Sequence, residues 1–105
     1  MNDTWTEVCS TDEIEKADVI RFDFDSHTFA VYGTEDDTYY ATDGLCTHAN
    51  VHLSGGFVMD HIIECPKHNG RFDFTTGQAK RAPACADLKI DPVKVEKRKV
   101  FLNPR

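Results

Sequence analysis

Short apolar runs with a period near two, parted by turn-forming residues, recur along this chain. Residues 19–24, 29–32, 39–42, 61–65, 71–74, 88–90 and 93–102 carry β-branched and aromatic side chains in the spacing of half-buried strands. Between them lie polar and glycine-rich stretches: residues 33–37, Asp43-Gly44, Ser54-Gly55-Gly56, Asn69-Gly70 and Thr75-Thr76-Gly77. One helix signal stands out at residues 10–13, where Ser10 is placed to cap a turn and Glu13 to reach back to it. Asp91-Pro92 interrupts an otherwise strand-like tail, and proline donates nothing to a ladder, so an edge, a bulge or a break is expected there. The predicted fold class is all-β: a small antiparallel sandwich or barrel with one short helical turn.

At 105 residues, 40% hydrophobic and 29% charged, the chain has the balance of a single globular domain spanning residues 1–105. Neither a repeat nor a low-complexity stretch appears. No run approaches the roughly 18 apolar residues that a membrane-crossing helix needs, and the first residues are acidic rather than basic-then-apolar. A cytoplasmic location and no membrane association are therefore expected. Of four cysteines, two stand at ligand spacing with histidines, and Cys9 and Cys85 are expected as free thiols.

The formal net charge of −6 is unevenly spread. Residues 1–43 hold twelve acids and two bases, whereas residues 44–105 hold six acids and ten bases. An acidic surface repels nucleic acid and suits a protein partner with a basic docking face, although simple solubility accounts for it equally well. The basic residues Lys94, Lys97, Arg98 and Lys99 read most simply as the solvated face of a terminal strand, and Glu35-Asp36-Asp37 as a hairpin tip.

Candidate chemistry is concentrated in Cys46-Thr47-His48 and Cys65-Pro66-Lys67-His68, each supplying one thiolate and one imidazole. Soft thiolate with borderline imidazole selects zinc, copper or iron over magnesium or calcium. Structural zinc accepts two cysteines and two histidines, but its usual spacings open with Cys-x-x-Cys. A Cys65 nucleophile with His68 as base can also be drawn, without an orienting third group. His27, His52 and His61 lie outside the pattern and read as surface or hydrogen-bonded histidines. Phe22, Phe24, Phe29, Phe72 and Phe74 read as core, with Phe72 also able to shield a bound metal.

Cys-x-His, a gap of sixteen residues and Cys-x-x-His resembles the Rieske iron-sulfur family. The likeness extends to Gly55-Gly56, to the block Cys65-Pro66-Lys67-His68-Asn69-Gly70-Arg71-Phe72 and to residues 77–83, which resemble the family's proline-bearing third loop. The resemblance implies one [2Fe-2S] cluster, with Cys46 and Cys65 on an inner iron and His48 and His68 on an outer, exposed one. It also implies a cluster-binding part at about residues 44–85, forming loops at one tip. Ala49, Asn50, Pro66, Lys67 and Asn69 would then surround the electron port with a nearly uncharged surface.

Length and the second block look like the stand-alone ferredoxins of ring-hydroxylating oxygenase systems. Val51 and Lys67 stand where the respiratory branch carries an extra pair of cysteines, and Arg71 lies near the place of its hydroxyl-bearing residue. A potential at the low end of the Rieske range is expected. The resemblance implies a monomeric one-electron carrier between a flavin-dependent ferredoxin reductase and a terminal oxygenase, making no bond in substrate itself. The alternatives are a small subunit of nitrite reductase and a non-redox, zinc-stabilised binding module.

Overall fold

A computed structural model describes residues 5–47, 51–67, 70–81 and 86–103 of the protein. Its centre is β3 (His27–Gly33), whose residues Phe29 to Gly33 are all buried. An unbroken apolar run of this kind has no face to offer water, so it needs cover on both sides. It pairs with β2 (Asp18–Phe24) and β4 (Tyr39–Asp43), and β4 pairs with β9 (Ile90–Asp91), giving the order β2-β3-β4-β9. Ala30 and Tyr32 face a first core with Val19, Cys46, Leu53, Ile63, Cys65, Phe72, Phe74 and Leu88. Phe29 and Val31 face a second core with Cys9, Ile14, Ala41, Val100 and Leu102.

The second core is closed by a three-stranded sheet of β1 (Thr6–Ser10), β11 (Lys99–Leu102) and β10 (Val93–Glu96). The first is closed by a meander of β5 (Phe57–Met59), β6 (Ile62–Glu64), β7 (Arg71–Asp73) and β8 (Ala79–Arg81). Every strand pairing is antiparallel, so the all-β expectation holds. Tyr32 joins the two layers of the first core: its ring stacks on Phe74 at 4.2 Å and its hydroxyl meets Thr42 Oγ1 at 2.8 Å. Burial drives the Tyr32 hydroxyl pKa upward, which keeps the phenol neutral.

Several local expectations are corrected. Residues 93–102 form two strands, because Lys97 and Arg98 both take positive φ, 52° and 67°, and turn β10 back into β11. The basic run is thus partly a hairpin turn rather than one strand face. Pro92 is the break itself: the chain leaves β9 of the central sheet and enters β10, while Pro92 O accepts from Asn103 N–H at 3.0 Å. Phe24, expected in the core, is 41% exposed and rests on Phe22 with centroids 6.3 Å apart. The helical signal at residues 10–13 gives a 3-10 turn, Thr11–Glu13, where Ser10 N–H donates to Glu13 Oε2 at 3.1 Å. A second 3-10 turn, Leu53–Gly55, falls on the Ser54-Gly55-Gly56 stretch expected as a turn. Among the described residues no helix is long and apolar enough to cross a membrane.

Cys9 is a free, buried thiol in the second core, as expected; Cys85 lies outside the described residues. Burial first, then the carboxylates of Glu13, Asp12 and Glu7, push the Cys9 thiol from 9.0 up to about 11. The unfolded thiol ionises earlier, so the stability it contributes is whole below pH 9 and is lost as pH rises through 11. Across that window, denaturant unfolding should show wild type losing about 2 kcal/mol more than Cys9→Val. Parallel losses in the two proteins would refute the assignment.

Candidate metal centre

Two loops of the first core carry the candidate ligands. The first follows β4, where Gly44 N–H donates to Thr28 O at 2.9 Å and anchors the loop on β3. Cys46 N–H then donates to Val51 O at 3.0 Å and Leu53 N–H to Gly44 O at 2.8 Å, closing residues 46–51 at their base. The second joins β6 to β7 and is closed by Cys65 N–H donating to Gly70 O at 2.7 Å. Gly56 lets the two loops lie together: a side chain there would press on Glu64 O, nearer than real Cβ contacts allow. A Cβ added at Gly55 would in turn meet Pro66 Cγ at 3.8 Å, an ordinary contact.

A third segment completes the arrangement. Thr47 Oγ1 donates to Ala86 O at 2.7 Å, and Ala79 N–H donates to Asp87 Oδ1 at 2.9 Å. Leu88 N–H donates to Gly77 O at 2.7 Å, so residues 86–88, just before β9, are tied to the first loop, to β8 and to the turn that precedes it. Residues 82–85 of the proline-bearing loop lie outside the described residues.

Both sulfurs are inside: Cys46 is 4% exposed and Cys65 fully buried, and neither is in a disulfide. Pro66 and Lys67, next along the second loop, are exposed. The Cys65 thiol is pushed above its ordinary value, first by burial and further by the neighbouring Cys46 side chain. The Lys67 backbone N–H and the Lys67 charge oppose that shift. Buried beside a second sulfur, the Cys65 thiol resists losing its proton unless a metal cation neutralises it. The donor set and its burial therefore fit a metal held by paired thiolates from one side.

Among the described residues no three potential ligands converge. His48 and His68, as well as Ala49, Asn50 and Asn69 of the expected port, lie outside them. Beside Cys65, Arg71 Nη2 pairs with Glu64 Oε1 at 3.1 Å, so the guanidinium expected near the second loop is matched across the β6–β7 ladder. Phe72 is fully buried in the same core as both cysteines, as a shielding residue should be. His61 belongs to an aromatic group, its ring 6.1 Å from Tyr40 and 6.0 Å from Phe74. His27 is exposed. His52, placed outside the motif, is hydrogen-bonded through both ring nitrogens beside the first loop.

The model of the Rieske [2Fe-2S] domain family matches residues 4–94. A curated relative from Ralstonia sp, the ferredoxin component of naphthalene 1,2-dioxygenase/salicylate 5-hydroxylase systems, is 40% identical over 103 residues, covering 98% of each chain. The solved ferredoxin of carbazole 1,9a-dioxygenase from Nocardioides aromaticivorans IC177 superposes with a TM-score of 0.92 at 30% identity, covering 97% of this chain and 99% of that one. A chain in the complex of reduced oxygenase and oxidised ferredoxin in carbazole 1,9a-dioxygenase superposes at 0.90 with 31% identity, covering 97% and 94%. A nitrite reductase small subunit of Mycobacterium tuberculosis, at 16% identity and a TM-score of 0.86, shares the fold alone.

Proposed function

The chain belongs to the Rieske [2Fe-2S] domain family, and from that premise we propose that Cys46, His48, Cys65 and His68 are the four ligands of its cluster, the cysteines on a buried iron and the histidines on the outer one. The protein is an electron carrier rather than a catalyst, with one Rieske-type cluster as its cofactor. When bound, that group accepts and returns a single electron at a potential raised by its neutral imidazole ligands. The observation that carries the ligand assignment is the pair of free, adjoining thiols at the bases of two closed loops in one core.

The described residues divide the work of such a site. Leu53, Ile63 and Phe72 keep water from the sulfur side, where solvent would compete for the ligands. Lys67 N–H directs positive charge toward Cys65 and favours its thiolate. Exposed Pro66 and Lys67 leave the second loop open to a partner, so electrons enter and leave on that side.

The partners in this reading are a flavin-dependent ferredoxin reductase as donor and a terminal ring-hydroxylating oxygenase as acceptor. A likeness to a ferredoxin solved in complex with its oxygenase supports the second. Residues 1–105 act as one monomeric cytoplasmic domain, and no nucleic acid is involved. The test is anaerobic stopped-flow mixing of the reduced protein with candidate oxygenases. Reoxidation in a single fast phase by a ring-hydroxylating enzyme is expected, and failure to reoxidise with every such enzyme would overturn the assignment.

Docking is further expected to use the acidic half of the sequence. Twelve of the eighteen acids lie in residues 1–43, and opposite charges on a partner speed encounter at low salt. Raising salt from about 0.01 M to about 0.5 M should slow the second-order step at least tenfold, as screening shortens to a few ångströms. A salt-independent rate constant would remove electrostatic steering from the account.

A further inference from the structure

His52 is fixed from two sides. Its Nδ1 accepts from Ser54 N–H at 3.0 Å, so in the neutral ring the one remaining proton is on Nε2. That Nε2–H meets Thr28 Oγ1 at 2.8 Å, and the Thr28 hydroxyl donates onward to Asp23 Oδ1 at 2.5 Å. Each proton in the chain is directed by the one before, and a backbone amide sets the first. The far end is held too, because Arg21 Nε lies 3.1 Å from the same Asp23 oxygen. Burial first, and then the Arg21 charge, keep the His52 pKa below its ordinary value, with Asp23 opposing. The ring is therefore neutral near pH 7, the state in which Nδ1 can accept.

The relay crosses from one part of the fold to another. Asp23 and Thr28 sit on β2 and β3, near the hairpin turned by Asp25 and Ser26. His52 bridges Leu45 across the base of the first loop, one residue from Cys46, and caps the Leu53–Gly55 turn. Its ring lies so close to Gly44 that any side chain there would strike Nε2. The motif residues need none of this for their own covalent spacing. What it supplies is a tie between the base of that loop and a hairpin of the central sheet.

We infer that His52 is a positioning residue for electron transfer: through Thr28 and Asp23 it straps the Cys46-bearing loop to the β2–β3 hairpin and holds the site in one geometry. The inference deepens the proposed function and rests on its reading that this loop carries cluster ligands. The strap is the Thr28 side of the ring, whereas the Ser54 side is only a local cap. Asparagine and glutamine separate the two. Asparagine places its oxygen where Nδ1 was and falls short of Thr28; glutamine reaches Thr28 with an N–H and gives up the cap.

The experiment is hydrogen exchange by mass spectrometry on oxidised, cluster-loaded protein, together with electron paramagnetic resonance of the reduced form. His52→Asn and Thr28→Val should raise exchange in residues 44–55 roughly tenfold and broaden the resonance, leaving residues 57–64 protected as before. His52→Gln and Thr28→Ser should restore both readouts to near wild type. Asp23→Ala, at an exposed position that folding tolerates, should accelerate the same segment if the changes at half-buried His52 and Thr28 prevent folding. Wild-type exchange in His52→Asn, Thr28→Val and Asp23→Ala would overturn the strap, as would His52→Gln behaving like His52→Asn. A wild-type protein lacking a histidine-ligated spectrum would instead sink the ligand assignment, whatever the loop exchange showed.

Discussion

Replacing His68 with cysteine should lower the midpoint potential by on the order of 100 mV or more while a [2Fe-2S] cluster is retained. The substitution trades a neutral imidazole for a thiolate, so the oxidised site carries one more negative charge before the electron arrives. Repulsion then opposes reduction, most strongly where water cannot screen it, and Cys65 of the same loop is fully buried. Rieske centres as a class lie at roughly −150 to +300 mV against about −400 mV for plant-type clusters with cysteine ligands alone, which bounds the shift. Protein-film voltammetry gives the value directly. His27→Cys, at an exposed residue outside the loops, should leave the midpoint where it was. An unchanged midpoint in His68→Cys would contradict both the ligand and the electrostatic argument.

Gly77→Ala should cost roughly 3 kcal/mol of stability or more, a large share of the ~5 to 15 kcal/mol that holds a small domain folded. Gly77 has φ +84°, where a side chain is strained, and a Cβ there would run into Leu88 O, closer than the 3.0 Å that real Cβ contacts respect. The neighbour is backbone and cannot swing away. Relieving the overlap would stretch two hydrogen bonds: Gly77 N–H to Asp73 O at 2.6 Å and Leu88 N–H to Gly77 O at 2.7 Å. The first closes the β7–β8 turn and the second ties that turn to Leu88 just before β9, so cluster retention should fall along with stability. Gly55→Ala is the control, since its nearest neighbour, Pro66 Cγ, is 3.8 Å away and is met in ordinary contact. Urea unfolding should separate the two variants by several kcal/mol, and equal stabilities would refute the packing argument.

What the sequence made legible follows from the range of the physics involved. The central sheet was readable because β3 is an unbroken apolar run and β2 and β4 have short runs of their own. The candidate cysteines stood out because their spacing from histidine is covalent, and the fold brings both into the first core. β1 escaped because its register shifts between Glu7 and Cys9, which spoils the alternation that marks a strand. The β10–β11 hairpin escaped because its two left-handed residues are Lys97 and Arg98, where the usual signal is Asn-Gly. β5 escaped because it is only three residues long before Asp60, at φ 53°, turns it into β6, too short for a period to show.

The His52 relay was hidden for another reason. Thr28 and His52 are 24 residues apart, and nothing local to either announces the other. A histidine outside the motif reads the same whether it straps a loop or merely faces water. Only the register of β2 on β3, with Asp23 opposite Thr28, sets the two partners side by side for it to meet. The same holds for Thr47, whose partner Ala86 lies 39 residues on. Spacing in sequence thus located the candidate chemistry, and pairing in space located what steadies it.

The most direct test of the central claim is pulsed electron paramagnetic resonance on reduced protein grown with nitrogen-15 histidine. Two strongly coupled histidine nitrogens should appear with about two irons per chain, and each of His48→Ala and His68→Ala should abolish that signal or the cluster itself. Zinc in place of iron, or a cluster with no histidine nitrogen coupled to it, would contradict the account.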